Sequence, residues 1–113
     1  MLTLDTLREF GADVDSGLAR CMNNEGFYIM LVKKVIADKR LEQLEQQLKD
    51  KDLDAAFESA HTLKGMYANL SLTPITEPVS KMTELLRSKT DTDYSPMLNE
   101  AKAQFEKLCS LSV

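Results

Sequence analysis

Six apolar residues, Leu53, Ala56, Ala60, Leu63, Tyr67 and Leu70, follow one another at steps of 3, 4, 3, 4 and 3. That spacing draws a narrow seam down one side of an α-helix, and a helix with such a seam must bury it against other helices. The rest of the chain supplies them. Asp50-Lys51-Asp52 reads as a turn and Asp52 as an N-cap, so the seam helix is expected over about 52–70. Upstream, Phe27, Tyr28, Leu31, Val32, Val35 and Ile36 recur at helical spacing from Glu25 onward. Leu41, Leu44 and Leu48 continue the pattern beyond a bend or break near Ala37 to Lys39.

Two more helices follow the seam. One begins around Thr73-Pro74 and continues through Val79, Met82, Leu85 and Leu86. Pro78 lies a turn later than a helix start favours, which predicts a distorted beginning. After a polar loop over Thr90 to Asp93, the last helix starts near Ser95-Pro96 and carries Leu98, Ala101, Phe105 and Leu108 on one face. At the other end, Thr3 to Phe10 reads as a short helix stopped by Gly11. A second short segment, capped by Asp13 or Asp15, ends at Asn23-Asn24. No strand-like alternation, hairpin dipeptide or repeat interrupts the series. The expected fold is all-α: an antiparallel four-helix bundle with short additional N-terminal helices, forming a single domain over residues 1–113.

Composition excludes several classes of function. Net charge is −4, and lysines and arginines are scattered among carboxylates. A nucleic-acid binder would instead carry a basic stripe to offset phosphate charge. Met1-Leu2-Thr3-Leu4-Asp5 lacks the basic start and long apolar core of a secretory signal. The apolar run from Phe27 to Val32 is far short of a membrane span. Cys21 and Cys109 stand in no metal-ligand or redox spacing and read as free thiols filling apolar space, with a disulfide as the alternative. The chain therefore reads as a soluble cytoplasmic protein, with neither nucleic acid nor membrane as partner and with a monomer expected.

The one histidine, His61, stands in the seam helix. With an advance of ~100° per residue it points ~130° from the seam centre, at the boundary or into solvent. Its neighbours on that face are Asp54, Phe57, Glu58, Lys64, Gly65 and Ala68. A glycine inside a helix costs roughly 1 kcal/mol against alanine. Clearance for something large approaching His61 would explain Gly65.

Imidazole is a nucleophile near neutral pH and forms covalent intermediates. A phosphoryl group on its nitrogen would bring negative charge beside Lys64. Phosphoryl transfer asks mainly for positioning and charge stabilisation, and a bare helix face supplies little else. A partner would have to bring a carboxylate, a magnesium ion and a pocket. The competing reading is an ordinary solvated histidine. Glu58-Ser59-Ala60-His61 also matches the Glu-x-x-His element of di-iron bundles, but those use two such elements and this chain has one histidine. No phosphate-cradling glycine loop is present, so the chain is not expected to bind ATP.

Ala60-His61-Thr62-Leu63-Lys64-Gly65, followed by Ala68-Asn69-Leu70, resembles the signature of histidine-containing phosphotransfer (HPt) domains. The resemblance extends from about Leu18 to the C-terminus and is most specific in the histidine helix. It implies a covalent phosphocarrier rather than an enzyme. His61 would take a phosphoryl group from an aspartyl phosphate on a response-regulator receiver domain and return it to another receiver, with a hybrid histidine kinase as a further partner. Lys64 would stabilise the phosphoryl oxygens, Gly65 would give clearance, and Asp54, Phe57, Glu58 and Ala68 would belong to the docking surface. No cofactor and no metal of its own is implied; the magnesium would be the receiver's. Thr83 departs from the glutamine or glutamate with which many members reach the histidine. Ser71 replaces a frequent glycine, and Met66 and Tyr67 stand where small residues are common. Two alternatives stay open: the phosphoacceptor domain of a histidine kinase, for which a chain of this length leaves no room for ATP-binding parts, and a helical adaptor that binds a receiver or kinase without phosphotransfer.

Overall fold

The computed structural model describes residues 1–112. Its regular elements are seven α-helices: α1 Leu4–Phe10, α2 Val14–Arg20, α3 Glu25–Ala37, α4 Arg40–Lys49, α5 Leu53–Asn69, α6 Thr73–Arg87 and α7 Ser95–Ser110. The all-α expectation holds, and the break after Ala37 falls where the apolar pattern thins. Asp52 caps α5 as the sequence predicts, its carboxylate accepting from the Ala55 N–H. Thr3, Asp13 and Asn24 cap α1, α2 and α3 in the same way, each side chain accepting one of the orphan N–H groups of a first turn.

Helix α5 lies between α4 and α6, and α6 packs in turn on α7; α3 packs on α2 and α7. The seam of α5 accounts for its position. Ala56, Ala60, Leu63, Tyr67 and Leu70 are all buried, and Leu53 at the start of the helix is half-buried. They meet Val32, Leu44, Ile75, Val79, Met82, Leu86, Ala101 and Leu108 in one continuous core. Small residues at positions 56 and 60 let the neighbouring helices come close, while Tyr67 fills the wider end. Pro78 does not break α6: the helix runs unbroken from Thr73 to Arg87, with Pro78 buried inside it. The proline denies the Pro74 carbonyl its usual N–H partner, and the sequence tolerates this one turn from the start.

The N-terminal helices are fastened to the end of α5. The Tyr28 hydroxyl donates to the Leu70 carbonyl at 2.8 Å. The Arg20 guanidinium donates to the Ala68 carbonyl and, at 3.2 Å, to the Ser71 hydroxyl. The Asp13 N–H donates to the Ser71 carbonyl at 3.0 Å. These bonds satisfy carbonyls that the end of a helix leaves without intrahelical donors. Burial pushes the Tyr28 phenol up to about 12, assisted by the nearby Cys21 and Asp13. Both cysteines are free thiols, Cys21 buried and Cys109 half-buried. Among the described residues no helix is long and apolar enough to cross a membrane.

Candidate functional site

His61 lies at the middle of α5, on the side turned away from the buried seam, and is exposed. The angular argument from the sequence therefore places it correctly. One turn earlier, Phe57 is half-buried, and its ring stacks on the imidazole with centroids 5.6 Å apart and planes 20° from parallel. One turn later, a methyl group placed on Gly65 would meet no atom within 4 Å. The glycine thus answers no packing need inside this chain, and the space above it is open.

Lys64 reaches across to α6. Its Nζ lies 3.6 Å from Glu84 Oε1, with 34% of the side chain exposed. The same Glu84 oxygen receives Arg87 Nη2 at 3.5 Å. The Arg87 guanidinium in turn sits 5.3 Å from the centre of the Phe57 ring. Five side chains from two helices are therefore linked in sequence around the histidine: His61 to Phe57, Phe57 to Arg87, Arg87 to Glu84 and Glu84 to Lys64.

The other residues singled out in the sequence fall on or beside this face. Asp54 is exposed and pairs with Lys89, beyond the end of α6, at 3.2 Å. Glu58 is exposed and Ala68 half-buried, the latter with its carbonyl held by Arg20. Phe57, named from the sequence as part of an outward-facing patch, is half-buried and has its ring against His61 and Arg87. Thr83 is buried and donates its hydroxyl to the Val79 carbonyl of its own helix at 2.8 Å. Its hydroxyl is thus spent within α6.

Ser71, at the position of a frequent glycine, adopts φ 56°, the left-handed region. Among the described residues no group of three or more His, Cys, Asp or Glu side chains is placed to hold a metal ion. The Glu58-x-x-His61 element stands without companion ligands.

Glu84 and the Phe57 stack were not identified from the sequence. Glu84 and Arg87 are one helical turn apart, which hints at a pair. That the pair lies beside Lys64, however, depends on how α6 packs on α5. The Phe57–His61 contact has a local signal, an aromatic four residues before the histidine.

What this face can do chemically follows from its parts. An accessible imidazole offers a nitrogen lone pair, a lysine one turn away offers positive charge, and the bare backbone at Gly65 lets another molecule come close. No curated protein and no solved structure gives a significant match to the chain. The sequence does match the Hpt domain family over residues 36–110, which takes in α4 to α7 and the whole site. The match begins well after Leu18, so the N-terminal helices fastened to the end of α5 lie largely outside it. Because the matched region makes up well over half of its length, the chain belongs to the Hpt domain family.

Proposed function

We propose that this chain is a phosphorelay carrier that holds a phosphoryl group on His61 between aspartyl-phosphate receiver domains. The observation that carries the reading is the exposed imidazole with Lys64 one turn on and open space above Gly65. In the transfer step the lone pair of one imidazole nitrogen forms the N–P bond while the P–O bond to the donor aspartate breaks. The aspartate departs as a carboxylate with the bonding electrons, and the second imidazole nitrogen keeps its proton. Onward transfer runs the same step in reverse toward another aspartate.

Lys64 stabilises the phosphoryl oxygens by charge and hydrogen bonding. Gly65 leaves room for the receiver's loops, and Asp54, Phe57, Glu58 and Ala68 frame the docking face. The receiver brings the carboxylates and the magnesium ion; the carrier needs no cofactor. In this reading α3 with α4, then α5, α6 and α7, act as the four members of an antiparallel bundle. Its rigidity holds the histidine at a fixed height above the core. A soluble cytoplasmic monomer, with receivers and a hybrid histidine kinase as partners, fits this role.

The test is transfer of radiolabel from phosphorylated receivers of the same cell to the purified chain. The product should be an acid-labile, base-stable phosphoramidate, and the variant His61→Gln should take none. Label that persists in His61→Gln rules the assignment out. Stable receiver binding without any label would favour an adaptor instead, and labelling only by a kinase with no receiver present would favour a kinase phosphoacceptor domain.

A further inference from the structure

The lysine assigned to the phosphoryl group already has a partner. Lys64 Nζ faces Glu84 Oε1 at 3.6 Å, and Arg87 holds that same oxygen from the other side at 3.5 Å. We propose that Glu84 is a built-in competitor for the phosphoryl group. It occupies Lys64 while His61 is free, is displaced when His61 is phosphorylated, and so sets how readily this chain accepts and surrenders its load. The inference rests on the function proposed above and assigns it a regulating residue on α6.

Three observations support a displaceable contact rather than a structural one. The distance is at the long end for an ion pair and lacks the closeness of a strong charge-assisted hydrogen bond. Glu84 is more than half exposed, so water screens the pair and losing it costs the fold little. Lys64 is a flexible point charge that can swing between acceptors without moving its helix. A phosphoryl group carries nearly two negative charges and three acceptor oxygens, and therefore outcompetes one carboxylate oxygen at this range. Arg87 gives the displaced carboxylate somewhere to stay, since it binds Glu84 independently of Lys64.

The experiment uses phosphoramidate as the donor, so that no docking surface enters the measurement. Its P–N bond to ammonia breaks as the N–P bond to His61 forms, and ammonia leaves with the bonding pair and takes up a proton. Phosphohistidine is followed by phosphorus NMR in wild type, Glu84→Gln, and Glu77→Gln, which removes the same charge from an exposed position two turns earlier on α6. Glu84→Gln should phosphorylate about three- to tenfold faster than wild type, the range a single screened charge imposes at close quarters. Glu77→Gln should match wild type. The gain should shrink in 1 M salt, where the Debye length is about 3 Å, and should vanish in a Lys64→Ala background.

Equal rates for Glu84→Gln and wild type overturn the inference, as does a gain that survives intact without Lys64. Equal gains in both glutamine variants reduce the effect to net charge and also overturn it. A wild type that phosphoramidate labels at His61, but with which no receiver exchanges phosphate, defeats the relay function while leaving the Glu84 result readable. Failure of phosphoramidate to label wild-type His61 at all overturns the Glu84 inference, and the receiver-transfer test above then decides the relay function by itself.

Discussion

The imidazole of His61 is stacked on the ring of Phe57, 5.6 Å between centroids and 20° from parallel, while the Thr83 hydroxyl on α6 is bonded within its own helix. Aromatic pairs of this kind are worth about 0.5–1.5 kcal/mol beyond simple burial. The stack narrows the rotation of a ring that would otherwise turn freely in solvent, and it holds the ring close to the direction from which a donor must approach. Removing it should slow acceptance of the phosphoryl group by about two- to tenfold, the same energy read as a rate. Phe57→Leu keeps apolar bulk and loses the stack, so it should be slow; Phe57→Tyr should act like wild type. Single-turnover transfer gives the rate, and the His61 ring proton shifts report the stack directly. A Phe57→Leu variant with changed ring shifts and an unchanged rate would remove Phe57 from any positioning role.

Two glycines should respond to alanine with opposite signs. Gly65 is helical, exposed and surrounded by open space. Gly65→Ala should therefore stabilise the isolated chain by about 0.5–1 kcal/mol through helix propensity alone, while slowing phosphotransfer from a receiver tenfold or more if a partner's backbone closes over it. Gly17 is buried in α2, and a Cβ there would lie 2.6 Å from Tyr28 Cε1. Gly17→Ala should destabilise by about 1–3 kcal/mol, since one of the two must move within a packed region. Chemical denaturation of both variants, beside transfer rates for the first, checks the pair. A stabilised Gly65→Ala that transfers at the wild-type rate would leave the glycine without its functional explanation.

How much of this was legible beforehand depended on how local the signal was. The seam of α5 was, because a 3,4 repeat needs only the helical period to be read, and it fixed the outward position of His61. The cap at Asp52 and the break near Asp38 were legible for the same reason, and the cap of α2 was narrowed to Asp13 or Asp15, of which Asp13 is the one. The fastening of Arg20 and Tyr28 to the carbonyls at Ala68 and Leu70 was not, because it joins residues more than 40 positions apart. Glu84 escaped for a related reason: its position beside Lys64 depends on the rotation of α6 about its own axis. Pro78 shows the reverse error. Local preference predicted a distorted helix start, but burial among core residues keeps the helix continuous around it.

Helix ends offer a prediction about stability alone. At the ends of α4, α5 and α6 the chain turns left-handed at Lys51, Ser71 and Lys89, with φ between 51 and 56°. Each turn carries the same pair of bonds: at α4, the Lys51 N–H donates to the Leu48 carbonyl and the Asp52 N–H to the Gln47 carbonyl. Glycine is the residue this motif favours, since a Cβ in that region costs roughly 1–2 kcal/mol. Lys51 is exposed and lies in the turn before α5, ten positions ahead of His61. Lys51→Gly should raise stability by about 0.5–1 kcal/mol, the strain relieved less the greater freedom glycine gives the unfolded chain. It should leave phosphotransfer unchanged. Denaturant melts read the outcome, and a loss of stability would mean that the lysine side chain contributes more at this turn than its backbone strain removes.

Tyr28 links the fold to alkaline pH. Its phenol is raised to about 12, first by burial and then by the neighbouring Cys21 and Asp13. Below pH ~10 it is protonated both in the folded protein and in the unfolded chain, so it adds no pH dependence there. Between about 10 and 12 the unfolded chain gives up the proton while the folded protein keeps it. Unfolding then releases a proton, and stability must fall as the pH climbs through this window. Burial also raises Tyr67, so the wild-type decline has more than one source. Tyr28→Phe removes one source. It should be less stable than wild type at pH 8 by ~1 kcal/mol, because the Leu70 carbonyl loses its buried donor. It should also lose less stability than wild type from pH 10 to 12, so that the two curves converge. Urea unfolding at pH steps across that range decides the matter. Curves that stay parallel would show that the Tyr28 hydroxyl ionises as easily in the folded protein as in the unfolded chain, and that its bond to the end of α5 does not hold in solution.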